Sequence, residues 1–244
     1  MAFLIMAATA RELTALAPHK LFADGGFVEM YPVEAPAGLF RGGRQVFFCL
    51  TGVGPLNAAL AAGLCFGHLA GRGIALEAVL NIGLAGAYSL ERMPLRSLCL
   101  VEEEIWPEYG LHDGHSVIAR AFKWPLWRRN EENDAVYDRI ALASISALGK
   151  DIQTECRHLA SVRSITVAGT SASVARASQL WDTFHADLEN MEGFAIAYAC
   201  ARAGIPCVEV RSIANKVGPR RKEEKDFDGA LQALGNFLPM LNFI

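Results

Sequence analysis

Two carboxylates stand at places where chemistry could be done. Glu12 follows the apolar run 2–8 and the polar cluster that begins at Thr9, and Glu192 lies between Met191 and Gly193 at the head of an otherwise apolar helix. A carboxylate buried among apolar neighbours is costly unless donors satisfy it, and a pair of ligand hydroxyls would satisfy Glu192. Each also has an ordinary explanation. Glu12 could be a surface cap or a helix N-terminal residue, and Glu192 could complement the dipole of its own helix. Asn215 follows a strand and precedes Lys216-Val217-Gly218. Its amide both donates and accepts, so it could read a ring edge that presents a carbonyl beside an N–H; the competing reading is an Asx-turn.

Two glycine segments accompany these side chains, Gly52-Val53-Gly54 and Gly83-Leu84-Ala85-Gly86. Glycine lets backbone N–H groups approach an anion or a polarised water. Neither segment is a dinucleotide or P-loop fingerprint, since the third glycine is missing from the first and no Gly-Lys-Ser/Thr follows. Tight-turn packing is the alternative for both. His112, Asp113 and His115 could suggest a metal, but no further histidine lies at ligand spacing, so they read as a polar loop and no metal site is expected.

These residues need elements to hold them. Short continuous apolar runs at 2–8, 45–50, 78–82, 98–101, 164–168 and 207–210 read as strands covered on both faces. Each runs into a polar or glycine-rich segment: Glu12 after the first, Thr51 to Pro55 after the second, Gly83 to Gly86 after the third. Glu102, Glu103 and Glu104 follow the fourth, Gly169-Thr170-Ser171 the fifth, and Arg211 to Asn215 the sixth. Residues 56–70, 191–203 and 229–241 read as helices, the second stopped by Gly204 and Pro206. The alternation predicts a single domain over 1–244 with a mostly parallel or mixed sheet flanked by helices. Ligands collect at the carboxyl ends of such strands. The segment 122–134, with Trp and Phe among Arg and Glu, reads as a mobile or partner-covered insertion, and 219–228 as a charge cluster.

Composition narrows the partners. With 244 residues, 52% of them apolar, the chain can bury a sizeable core. A formal net charge of −3 gives no general attraction to nucleic acid or an anionic membrane, which leaves a small molecule as the expected ligand. The six cysteines, Cys49, Cys65, Cys99, Cys156, Cys200 and Cys207, show no C-x-x-C spacing and read as reduced core residues of a cytoplasmic protein. The first ten residues lack a basic flank and are interrupted by Arg11 and Glu12, so they read as a buried strand and not a signal peptide.

The stretch Glu189-Asn190-Met191-Glu192-Gly193-Phe194-Ala195-Ile196-Ala197, then Ala203-Gly204-Ile205-Pro206, then Val210 to Arg220, resembles the signature of the nucleoside phosphorylase superfamily, and within it the futalosine hydrolases of menaquinone biosynthesis. Landmarks from Glu12 through Thr51–Gly54 and Asn81–Gly86 occur in the family's order. The resemblance implies a three-layer α/β/α fold with a central mixed, mostly parallel sheet, a homodimer or larger homo-oligomer, and no metal or organic cofactor. It implies that Met191 and Glu192 hold the ribose, that Glu12 orients and deprotonates an attacking water, and that Asn215 addresses the purine. It further implies substrate contacts at Asn190, Gly54, Gly83, Ala85, Gly86, Thr170 and Ser171. Two departures refine it. Adenine-type nucleosidases carry an aspartate where Asn215 stands, so a 6-oxopurine is expected here. Bacterial phosphorylases place a phosphate-binding arginine before the glycine turn, where this chain has Asn81-Ile82-Gly83-Leu84, so water is the expected nucleophile.

Overall fold

A computed structural model describes residues 2–16, 29–35, 44–114, 116–128, 135–219 and 221–241. His115, Arg220 and the 129–134 part of the aromatic insertion, all named above, lie outside the described residues.

The chain begins with β1 (Ala2–Ala7) and α1 (Ala10–Leu16), then β2 (Val33–Glu34), β3 (Gln45–Leu50) and α2 (Pro55–Gly71). The long strand β4 (Leu76–Ala87) and β5 (Leu98–Ile105) follow. Two short ribbons come next, β6 (Leu111–His112) with β7 (Val117–Ile118), and β8 (Trp127–Arg128) with β9 (Ala135–Val136). After β10 (Arg139–Ala141) come a 3-10 turn, α3 (Lys150–Glu155), β11 (Ala160–Thr166) and α4 (Val174–Phe184). The last third holds β12 (Leu188–Asn190), α5 (Gly193–Ala203), β13 (Cys207–Lys216) and α6 (Phe227–Gly235).

Nine strands form one mixed sheet among the described residues, in the order β10-β5-β11-β12-β4-β1-β3-β2, with β13 pairing both β4 and β5. The strand β1 is parallel to β3 and β4, β13 is parallel to β4, and β12 runs antiparallel to β4. Side-chain alternation along β1 builds the layers. Phe3, Ile5 and Ala7 face Leu13, Leu16, Ile152 and Leu234 from α1, α3 and α6 and Phe237 just after α6, whereas Ala2, Leu4 and Met6 face Ala58, Ala62, Cys65, Ile196 and Cys200 from α2 and α5. The result is the expected α/β/α arrangement. All six cysteines are buried and free.

Several boundaries differ from the sequence reading in one direction. The strand β4 does not end at Ile82 but carries Gly83 to Ala87 as strand, β5 includes Glu102 to Glu104, and β13 runs on through Arg211 to Lys216. Residues 83–86 are therefore not a loop. The paired register Arg211 to Gly83 and Asn215 to Gly86 supplies the reason, because large polar side chains of β13 lie over the glycines of β4. The final helix is shorter than 229–241: Asp226 caps α6 through Gly229 N at 2.9 Å, and 238–241 form a separate 3-10 turn. No helix among the described residues is long and apolar enough to cross a membrane.

Candidate active site

Glu12 is a helix N-terminal residue, as its ordinary explanation expects, but it is buried and not on the surface. Thr9 and Glu12 form a reciprocal capping box at the head of α1: Glu12 Oε2 accepts from Thr9 N at 2.9 Å and Thr9 Oγ1 at 2.7 Å, and Glu12 N donates to Thr9 Oγ1 at 3.3 Å. The same carboxylate is only 6% exposed, and its Oε1 accepts from Leu84 N on β4 at 2.9 Å. The cap thus fixes the side chain while its second oxygen reaches across to the carboxyl end of the neighbouring strand.

Glu192 is held from a different helix than its sequence position suggests. It stands at the N-cap of α5 without capping it by its side chain, and its Oε1 instead accepts from Gly54 N, the first residue ahead of α2, at 2.9 Å. Gly54 has φ 97°, a left-handed conformation that favours glycine, and Pro55 then starts the helix. Burial raises the pKa of Glu192, reinforced by the charges of Glu12 and Glu209, while Arg211 and the Gly54 N–H act the other way. Met191 beside it is half-buried.

Between these two carboxylates lies a group that the sequence reading assigned no role. Arg211 is 1% exposed, and its Nε donates to Glu209 Oε1 at 2.8 Å. Burial opposes its charge, but Glu209, Glu192 and Glu104 outweigh burial and keep its pKa above the ordinary arginine value. A Cβ built on Gly83 would stand 2.4 Å from Arg211 Nη1 and 2.9 Å from Glu12 Oε1, so the guanidinium and the Glu12 carboxylate converge on one point of β4. Arg211 Nη2 is buried and has no hydrogen-bond partner among the described residues.

Three residues further along β4, about 10 Å away at strand spacing, Asn215 lies against Gly86, where a Cβ would be 2.9 Å from its Nδ2 and 3.0 Å from Val217 Cγ2. Asn215 is on a strand and not in an Asx-turn; its Nδ2 donates to Lys216 O at 2.7 Å. A cleft of about 470 Å³ opens at this end, lined among others by Tyr88, Val174, Trp181, Lys216 and Val217. The molecule therefore presents an acidic, guanidinium-bearing end and an amide-bearing end along one line.

The comparisons with known proteins bear on this geometry. The phosphorylase superfamily profile matches residues 2–238. The chain belongs to the phosphorylase superfamily. It is 31% identical over 219 residues to a futalosine hydrolase of Thermus thermophilus, covering 90% of each chain. The fold of a Helicobacter pylori futalosine hydrolase mutant superposes with a TM-score of 0.70 at 21% identity over 99% of this chain and 98% of that one. A Campylobacter jejuni 5'-methylthioadenosine/S-adenosyl homocysteine nucleosidase gives 0.70 at 18% identity, covering 99% and 97%.

In this superfamily member the expected site residues fall into two groups. Glu12, Gly83, Gly54 and Glu192 gather at the acidic end, and Gly86 with Asn215 at the other. Asn190 does not face them. It is 3% exposed, with its Oδ1 accepting from Glu192 N at 2.9 Å and Gly193 N at 2.7 Å and its Nδ2 turned inward to Ser164 Oγ at 2.6 Å. It holds the turn that presents Glu192 and sits beneath the site. Ser171 is likewise occupied, giving its N–H and Oγ to Glu189 at 2.8 and 2.6 Å, while Thr170 is exposed and Ala85 is buried in the core. His112 and Asp113 sit on the exposed β6–β7 ribbon, where His112 Nδ1 accepts from Gly114 N, and no metal-binding group of three is found among the described residues. Arg211 had a signal in the sequence: in Cys-Val-Glu-Val-Arg, two opposite charges sit two apart in an apolar strand, which places both on one covered face.

Proposed function

We propose that this chain hydrolyses the N-glycosidic bond of futalosine, releasing hypoxanthine and the dehypoxanthinyl ribosyl product. The observation that carries the reaction type is the convergence of Glu12 and Arg211 on Gly83 beside the buried Glu192. Breaking the bond leaves positive charge on the ribosyl ring and sends the bonding electrons to the base. Glu192, presented by Gly54 and Asn190, accepts from the 2' and 3' hydroxyls and lies as an anion near the developing cation, with Met191 against the sugar. Glu12 takes a proton from the attacking water, which the Arg211 guanidinium, with Nη1 over Gly83 beside Glu12, orients. At the far end, Asn215 accepts from a purine N7–H and donates to O6. An amide releases no proton, so the leaving base is protonated from solvent.

Water is preferred over phosphate for a reason the interior adds. Asn81 lies where phosphorylases carry their arginine, is 1% exposed, and gives an Nδ2 N–H to Glu209 Oε2 at 3.0 Å, so a buried neutral amide stands in place of a bidentate cation for phosphate. The choice of futalosine rests on the Thermus relative. The purified protein is to be incubated with futalosine, inosine and methylthioadenosine and the released base measured; futalosine is expected to be the best substrate. Preference for methylthioadenosine would transfer the assignment to the rival nucleosidase and end the role given to Asn215.

The same proposal includes a cytoplasmic location, supported by the six unpaired cysteines, and self-association. Leu56, Leu60 and Leu64 are 85%, 53% and 47% exposed at four-residue spacing along one face of α2. Light scattering is expected to give at least a dimer.

A further inference from the structure

Beneath the site lies a pair of carboxyls to which the reaction above gives no part. Glu104 on β5 and Glu209 on β13 are both fully buried. They meet under the first residue of α5: a Cβ on Gly193 would stand 2.3 Å from Glu104 Oε1 and 2.8 Å from Glu209 Oε1, and Asn190 Nδ2 lies 2.5 Å from the first oxygen and 3.5 Å from the second. Two carboxylates this close have only acceptors to offer each other and repel when both are charged, whereas a proton on one supplies a donor between them.

The surrounding donors say which one. Glu209 accepts from the Arg211 guanidinium Nε at 2.8 Å and from Asn81 Nδ2 at 3.0 Å, the partners of an anion. The hydrogen bonds to Glu104 come from neutral groups, Thr166 Oγ1 at 2.6 Å and Asn190 Nδ2 at 2.5 Å. Burial, and then the charge of Glu209, drive the pKa of Glu104 well above the ordinary carboxylate value, against the pull of Thr166 and Arg211. The other ionisable groups facing the pair are Cys207, Cys99 and, from the site side, Glu192.

We propose that Glu104 and Glu209 share one proton, and that this singly charged pair is the positioning device for Arg211 and for the turn carrying Glu192. Glu209 anchors the guanidinium by Nε and leaves Nη1 over Gly83 beside Glu12. Glu104 stays neutral and locks Asn190, whose carbonyl oxygen holds the N–H groups of Glu192 and Gly193. A second negative charge here would compete with Glu192 for the Arg211 guanidinium. Gly193 is glycine because the two carboxyls occupy the space a Cβ would take.

The proton is tested without substrate. The infrared difference between the wild-type chain and Glu104→Gln at neutral pH is expected to show the C=O stretch of a protonated carboxylic acid, present only in the wild type; absence of that band overturns the proposal. The positioning role, which rests on the proposed hydrolase reaction, is tested by turnover. Glu104→Leu is expected to lower kcat by about 10²-fold by displacing the groups above it, and Glu104→Gln, which reproduces the neutral acid, to restore most of the loss. Glu209→Gln is expected to lower kcat similarly with little change in KM. If it fails to fold, the Glu104 pair of variants decides. Gln as inactive as Leu at 104, with the infrared band present, overturns the positioning role. A band with no turnover of any nucleoside by the wild type supports the shared proton and removes the hydrolase reading instead.

Discussion

Adding one methyl group at Gly83 reaches the proposed reaction centre without altering any charged residue. Gly83 is not among the glycines with positive φ, so alanine meets no backbone strain and its effect is steric. The new Cβ would lie 2.4 Å from Arg211 Nη1 and 2.9 Å from Glu12 Oε1, against an ordinary contact of about 3.5 Å. Arg211 cannot swing away freely because its Nε is tied to Glu209, and Glu12 is tied to Thr9 and Leu84. One or both groups must move by about 1 Å, a displacement that can cost about 10²-fold in kcat. Overpacking should cost about 1–3 kcal/mol, which for a chain of this size lowers Tm by about 2–12 °C. Steady-state kinetics with futalosine and a thermal melt read both effects. A folded Gly83→Ala protein with wild-type kcat would refute the placing of the reaction centre at this point.

Three further outcomes are expected. Glu12→Gln keeps the reach to Leu84 N but cannot take a proton, so kcat measured on the nucleoside should fall by about 10²–10⁴-fold while binding of free hypoxanthine, read by calorimetry, persists. Asn215→Asp supplies a releasable proton at the base end, and competition between adenine and hypoxanthine nucleosides should then shift toward adenine. Glu192 acts as an anion and its pKa is raised by burial, so the acid limb of kcat/KM should lie above the ordinary glutamate value. The sign for stability is opposite: the folded chain binds the Glu192 proton more tightly than the unfolded chain, so this residue lowers stability as pH rises through the unfolded pKa. Glu192→Gln should therefore melt no lower than wild type at neutral pH although it turns over less substrate.

What the sequence revealed and what it hid follow from one physical difference. Local signals were legible. The apolar runs gave six of the nine strands described in the central sheet, Gly204 and Pro206 ended α5, and the Met191-Glu192-Gly193 signature located the carboxylate at the head of that helix. Pairing across the sheet was not legible. Glycine in Gly83 to Gly86 reads locally as a turn, yet it is strand because Arg211 and Asn215 lie over it from β13. Glu104 looked like the tail of an acidic strand end, but it is interior because Thr166 and Asn190, 62 and 86 residues away, satisfy it. Asn190 was read as a ligand contact for its place beside Met191, whereas strand alternation turns its side chain inward. Arg211 escaped because its strand was ended at Val210, although it runs on to Lys216.

The central claim is that water, activated at Glu12 and Arg211, attacks a nucleoside held by Glu192. Hypoxanthine release from futalosine, followed in phosphate-free buffer and again after phosphate is added, tests it most directly. Release at the same rate in both, with a free ribosyl product, is predicted. Release that requires phosphate and yields a ribosyl 1-phosphate would contradict it.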